Sequence, residues 1–286
     1  LDLPKIIGEA LALGRHALSS ISETPNLDAQ LLLSEVAGQP RAWVLAHPEA
    51  GLSSDQAMAF AHALTRYQGG EALPYILGWW EFYTRVFRLT PAVLIPRPET
   101  ELIVEAALAF LSDRPGDKLA LDVGTGSGCI AVTLALESSG VCILASDLSM
   151  EALQVARRNV SEYGVGARVR LIQADLATPF RGGFDLVCAN LPYVTSREMR
   201  TLAVAQREPQ LALDGGANGM ALIDRMLQQI PSILSPGGLA IMEIGAGQGA
   251  AVRKLARRLC PQAKIEVRVD LAGLDRLLLM EDGGST

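Results

Sequence analysis

Ile6, Ile7, Ala10, Leu11, Ala17, Leu18 and Ile21 recur at helical spacing, and a second apolar set, Ala29, Leu32, Leu33 and Val36, resumes after Thr24-Pro25-Asn26. The pattern predicts two amphipathic helices packed face to face. A shorter helical piece carries Trp43, Val44 and Leu45 and stops before His47-Pro48, because the residue ahead of a proline is biased away from helix. Ser53 with Gln56 three positions on forms a capping-box pattern, and the helix it opens, through Met58, Phe60, Leu64 and Tyr67, ends at Gly69-Gly70. Residues 1–72 therefore read as a small helical bundle without a catalytic signature. Taken alone, its residues fit a partner-recognition module and a stabilising or dimerising appendage equally.

The pattern changes over residues 73–98. Tyr83, Arg85, Phe87 and Leu89 alternate, and with a turn at Thr90-Pro91 they predict a short β-hairpin in a linker. Pro96 and Pro98 fix the backbone around Arg97 and Glu99, making a rigid polar corner. From residue 99 to 286 the pattern is that of an α/β domain. A helix over 101–111 carries Ile103, Ala106, Ala107 and Phe110. Buried-strand runs at 119–123, 141–146, 168–173, 184–189 and 239–244 then alternate with helices from 129, over 149–163 and over 219–234. Two final strands, 264–269 and 276–280, are separated by Asp270-Leu271-Ala272-Gly273, too short a break for a crossover, so one of them runs antiparallel.

Candidate chemistry gathers at the predicted strand ends. The strand at 119–123 runs through Asp122 into Gly124-Thr125-Gly126-Ser127-Gly128 and then a helix, the setting in which glycines let a backbone approach a ligand closely. The next strand ends in Asp147, placed to accept the two hydroxyls of a ribose, with Leu148 beside it. Dinucleotides call for G-x-G-x-x-G. This chain has G-x-G-x-G with an acid two residues ahead, which suits a ligand carrying a cationic amino group. The spacing favours S-adenosylmethionine over NAD. Asp175, followed by Leu176, stands where it accepts a hydrogen bond from an adenine amino group or, equally, acts as a turn residue. Asn190-Leu191-Pro192-Tyr193 follows the strand 184–189. An amide, a stiffened backbone and an aromatic ring form a hook for a flat group bearing an NH2, at the edge of a parallel sheet where ligands bind. Seven strands ending in a hairpin make the Rossmann-like architecture of class I S-adenosylmethionine-dependent methyltransferases.

Bulk properties narrow the picture. The 286 residues are 49% apolar and 20% charged, as in ordinary globular proteins, and the net charge of −6 argues against broad nucleic-acid binding. The basic cluster Arg253, Lys254, Arg257 and Arg258 reads as a solvated helix face. Cys129, Cys142, Cys188 and Cys260 lack C-x-x-C spacing and read as reduced thiols, and His16, His47 and His62 have no partners at ligand spacing, so no metal site is expected. No apolar run reaches membrane-spanning length and no signal segment is evident. The expected compartment is the cytoplasm. The start at Leu1 carries the expectation that a few residues precede it.

The chain resembles the HemK-like protein-glutamine N5-methyltransferases that modify peptide-chain release factors. The resemblance spans nearly the whole length: the helical N-terminal domain, Pro74-Tyr75-Ile76-Leu77-Gly78, Leu94-Ile95-Pro96-Arg97-Pro98-Glu99-Thr100-Glu101, Asp122 to Gly128, Glu208-Pro209 with Ala212 to Gly216, and Asp270 to Gly273. The Gly loop identifies only the superfamily, whereas Arg97 to Thr100 with Glu208 to Gly216 is more specific. One departure is Leu191, where the family usually has proline. Asn-Leu-Pro-Tyr is similar to the motif of ribosomal-RNA adenine dimethylases, but those would place a basic helical domain after the catalytic one. The resemblance implies a release-factor partner recognised through residues 1–72, S-adenosylmethionine as methyl donor with S-adenosylhomocysteine as product, and no direct nucleic-acid binding. It assigns catalysis to Asn190, Pro192 and Tyr193 and substrate binding to Asn190, Leu191, Pro192 and Tyr193. Cofactor binding falls to Gly124, Thr125, Gly126, Ser127, Gly128, Asp147, Leu148, Asp175, Leu176 and Asn190. An N6-adenine methyltransferase and a ribosomal-protein glutamine methyltransferase share the hook and remain alternatives.

Overall fold

The computed structural model describes residues 3–114 and 116–283. The chain divides into two compact units, one up to Trp79 and one from Trp80.

The first unit holds α1 (Ile7–Leu18), α2 (Pro25–Ala37), α3 (Arg41–Ala46), α4 (Ser54–Gln68) and α5 (Leu73–Leu77). Local chemistry sets the boundaries. Pro25 opens α2 and Gly38, in the left-handed region, ends it. At α4 the expected capping box is complete, with Gln56 N–H donating to Ser53 Oγ and Ser53 N–H donating to Gln56 Oε1. Leu18, Leu32, Leu33 and Phe60 are fully buried. Asp28, also buried, accepts hydroxyl protons from Ser22, Thr24 and Tyr67 at 2.6, 3.1 and 2.6 Å, so its charge is compensated inside the bundle.

The second unit begins with the hairpin β1 (Trp79–Phe82) and β2 (Arg85–Arg88). The expected hairpin is present, but its turn is Tyr83-Thr84, not Thr90-Pro91. Both turn residues have positive φ, 50° and 61°, the combination whose twist matches antiparallel strands. Phe82 and Phe87 then point the same way into the core. Next come α6 (Glu101–Ser112), β3 (Lys118–Val123), α7 (Cys129–Glu137), β4 (Val141–Asp147), α8 (Met150–Glu162), β5 (Val169–Gln173), β6 (Phe184–Ala189), α9 (Ala221–Ile233), β7 (Leu234–Glu243), α10 (Gly249–Leu259), β8 (Lys264–Val269) and β9 (Asp275–Glu281).

These strands form one seven-stranded sheet in the order β5-β4-β3-β6-β7-β9-β8. β3 to β7 are mutually parallel, and β9 runs antiparallel to both β7 and β8. The near-continuous apolar runs of β3 and β6 are what a strand covered by helices on both faces requires. β7 starts five residues earlier than the expected Leu239, because Leu234 pairs with Phe184 before a register shift brings Leu239 opposite Leu186. The chain leaves β3 toward β4 on one side and reaches β6 on the other, so the C-terminal ends of β3, β4 and β6 flank the topological switch point. Among the described residues, no helix is long and apolar enough to cross a membrane.

Candidate active site

A cavity of about 310 Å3 opens at that switch point, at the lower end of the range typical for small-molecule sites. One wall is the loop after β3. Gly124 and Gly126 have φ of 73° and 55°, and a Cβ on Gly124 would stand 3.3 Å from the Leu191 side chain. Larger residues are therefore disfavoured there both by conformation and by space. Thr125, Gly126, Ser127, Asp147, Leu148, Asp175, Leu176, Asn190, Leu191 and Pro192 also line the cavity. Gly128 and Tyr193 stand outside that lining. Gly128, at φ 81°, lets α7 start against Ala156 of α8.

Asp122 does not face the cavity, contrary to the expectation of a partner for a cationic group. It is 1% exposed, one carboxylate oxygen accepts the Thr125 hydroxyl at 2.6 Å, and the other has no hydrogen-bond partner among the described residues. Burial pushes its pKa up to about 7, against the lowering effect of the Thr125 hydrogen bond. Its role is to hold the loop from behind. Asp147 does reach the cavity. It accepts the backbone N–H groups of Gly126 and Ser149, each at 2.9 Å, which fixes the carboxylate while leaving lone pairs for ligand hydroxyls. Burial raises its pKa, and those N–H donors pull it back. Asp175 forms a 2.6 Å ion pair with Arg225 of α9, half exposed on both sides. Its carboxylate is thus oriented by a residue that sequence spacing does not single out. The exposed Leu148 and buried Leu176 add apolar surface at the same end. A glycine cradle, a fixed carboxylate and an apolar end wall fit an adenosine-bearing ligand such as S-adenosylmethionine.

Beside the glycine loop, at the end of the neighbouring strand β6, lies the hook. Asn190 Nδ2 donates to Thr100 Oγ1 at 2.9 Å, Thr100 Oγ1 donates to Glu243 Oε2 at 2.7 Å, and the Tyr193 hydroxyl donates to Glu243 Oε1 at 3.0 Å. Glu243, at the end of β7, is 1% exposed. Neither Asn190 Oδ1 nor the Leu191 carbonyl accepts a hydrogen bond from the described residues. Both residues line the cavity, which therefore has two acceptors in its wall without donors among the described residues. The Leu191 side chain is buried, packed beside Gly124 and against the core. Burial and the neighbouring Glu243 raise the Tyr193 pKa, keeping the phenol protonated and its ring anchored.

The backbone of the hook is clamped from its far side. A Cβ on Gly215 would lie 2.7 Å from the Pro192 carbonyl oxygen, and one on Gly219 would collide with the Tyr193 carbonyl. Gln248 Nε2 donates to Tyr193 O at 3.3 Å and to Gly219 O at 3.2 Å. A further wall comes from Pro91 to Leu94 and Pro96. Glu208 secures it, accepting the Ile95 N–H at 3.0 Å and pairing with Arg97. Sequence motifs flagged Arg97 and Glu208 but assigned neither a partner; Thr100 and Glu243 carried no role at all.

Comparison with known proteins matches residues 9–78 to the PrmC N-terminal domain and residues 102–214 to the methyltransferase small domain. A release factor glutamine methyltransferase of Moorella thermoacetica is 39% identical over 281 residues, 98% of each chain. One of Bacillus subtilis is 38% identical over 284 residues, 96% of this chain and 97% of its own. In fold, the unit resembles a methyltransferase from Pyrococcus furiosus, with a TM-score of 0.52 and 16% identity over 79% of this chain and all of that one.

Proposed function

The chain belongs to the release factor glutamine methyltransferases, and we propose that Asn190 Oδ1 and the Leu191 carbonyl are the acceptors with which it holds the glutamine amide of a peptide-chain release factor for methylation on N5. The observation that carries this reading is the pair of unengaged acceptors beside the cavity, one on an amide whose nitrogen is already committed to Thr100. A primary amide has two N–H donors, and two acceptors in neighbouring residues can take both.

When bound, S-adenosylmethionine supplies an electrophilic methyl group and leaves as S-adenosylhomocysteine. The chain's own residues meet the difficulty that an amide lone pair is delocalised into its carbonyl. By accepting both N–H bonds, Asn190 and Leu191 favour a pyramidal nitrogen and stabilise the positive charge that grows on it. Holding that nitrogen in line with the methyl group removes orientational freedom, a contribution of at most roughly 7–11 kcal/mol. Tyr193, outside the cavity lining, anchors the hook through Glu243, and Pro192 keeps the turn rigid. No general base is required, because the methylated nitrogen becomes acidic enough to lose its proton to water. We place the reaction in the cytoplasm and the modified glutamine in a Gly-Gly-Gln loop.

The test is incubation with a purified release factor and labelled cofactor, followed by peptide mass mapping. A mass gain of one methyl group on a loop glutamine, absent when that residue is replaced, supports the reading; label in nucleic acid instead would refute it. Two variants probe parts of the site. Asp147→Ala is expected to weaken cofactor binding by roughly tenfold to a hundredfold, the equivalent of a desolvated charged hydrogen bond. An unchanged dissociation constant in calorimetry removes Asp147 from the ribose role. Leu191→Pro is expected to retain methyl transfer, since position 191 acts through its carbonyl, at a stability cost of about 1–2 kcal/mol for the lost buried side chain. Pro192→Ala is expected to reduce turnover by loosening the turn. Reversed effects in the two turnover assays contradict this account of the loop.

A further inference from the structure

We infer that Glu243, acting through Thr100, is the positioning residue that decides which end of the Asn190 amide faces the substrate. The inference rests on the reading of Asn190 as an acceptor. An ionised carboxylate only accepts hydrogen bonds. Thr100 has one hydroxyl proton, and Glu243 Oε2 at 2.7 Å takes it. Toward Asn190, 2.9 Å away, Thr100 can then only accept, so the amide nitrogen must face Thr100. Oδ1 is thereby turned to the substrate. The Tyr193 hydroxyl spends its own proton on Glu243 Oε1 at 3.0 Å, so one buried carboxylate fixes two residues of the hook.

Protonation reverses this order of donors. A neutral Glu243 that donates to Thr100 frees the Thr100 proton to turn onto Asn190, and the amide then presents N–H groups to a substrate that itself offers N–H groups. The groups facing Glu243 are Thr100 and Glu99 ahead of α6, Tyr193 after β6 and Arg276 of β9. Burial raises the Glu243 pKa and Glu99 adds to the rise, while both hydroxyls and Arg276 oppose it. The active form is the ionised one, so turnover is lost as pH falls through this raised pKa.

The decisive experiment measures kcat against pH at saturating S-adenosylmethionine with a purified release factor, for wild type, Glu243→Gln, Thr100→Ser and Thr100→Val. Thermal melts and cofactor binding are run on each. Thr100→Ser keeps the relay and is expected to stay near wild type. Thr100→Val and Glu243→Gln are expected to lose roughly 10–100-fold in kcat, the rate equivalent of one misdirected buried hydrogen bond. KM for the release factor should change far less. Glu243→Gln should also lack the acid limb expected of wild type. Wild-type turnover in Thr100→Val, or an unchanged pH profile in Glu243→Gln, overturns the inference. If Glu243→Gln fails to fold, the serine and valine pair decides alone. Full activity in Asn190→Ala would instead overturn the reading of the hook itself, so the two failures are distinguishable.

Discussion

Replacing Asn190 with alanine is expected to lower kcat for methyl transfer by about 10²–10³-fold, the range seen when one preorganised polar group at a reacting centre is removed. Cofactor affinity should change little. Asn190 lines the cavity, but the glycine loop and the Asp147 carboxylate, held by the Gly126 and Ser149 N–H groups, do not depend on its side chain. The substitution also releases the Thr100 hydroxyl from its donor, yet Thr100 keeps its bond to Glu243, so the fold beneath the site is retained. Single-turnover kinetics with a release factor, alongside cofactor titration, separate the two effects. Wild-type turnover would exclude Asn190 as an amide acceptor, and a parallel collapse of cofactor binding would reassign it to the cofactor.

Glu208→Ala is expected to be the most destabilising change near the cavity. Its carboxylate is buried and serves two donors, the Ile95 backbone N–H and the Arg97 guanidinium. Breaking a buried pair by removing one partner costs about 3–5 kcal/mol. Arg97 is about one-third exposed and can turn to water, so the loss should fall near the bottom of that range. The unpaired Ile95 N–H is the part that solvent cannot easily repair. Because Ile95 sits between Leu94 and Pro96, which wall the cavity, cofactor affinity should fall together with the melting temperature. Chemical denaturation with and without cofactor measures both, and a variant as stable as wild type would show that the wall is held by other contacts. Asn190→Ala and Glu208→Ala therefore predict opposite profiles: lost chemistry on an intact scaffold, and a loosened scaffold with the reacting groups still present.

Periodicity located most of the elements. The runs at 119–123, 141–146 and 184–189 are apolar apart from Asp122, Ser146 and Asp185, a pattern that buried parallel strands produce and exposed loops do not, and the glycine loop between strand and helix follows from local conformation. What escaped sequence reading depended on distant partners. The hairpin turn uses Tyr83 and Thr84, residue types that carry no turn signature, whereas Thr90-Pro91 carries one and forms no hairpin. The charge of Asp122 suggests a group that faces the ligand, but strand register turns it behind the loop. Asp175 looks like a free acid until Arg225, 50 residues on, is brought against it. Asn190 could be picked out from its motif, whereas the carboxylate that orients it lies beyond any local spacing. Asn159 of α8 is a similar case, fully buried and donating to the carbonyls of both Ser127 and Arg88, so it ties the glycine loop to the β2 edge.

The long ties at the hook also set when the site comes into being. Thr100 and Glu243 are separated by 143 positions, and Arg97 and Glu208 by 111. Contacts of such separation carry a large loop-closure entropy and form late on the folding path. During synthesis, a nascent chain that has emerged only as far as Tyr193 already contains the glycine loop, Asp147 and Asn190. It has no β7 carboxylate to orient the amide and no Glu208 to close the wall. Arg225, which orients Asp175, is missing as well, so competence for methyl transfer arrives only with the last third of the polypeptide.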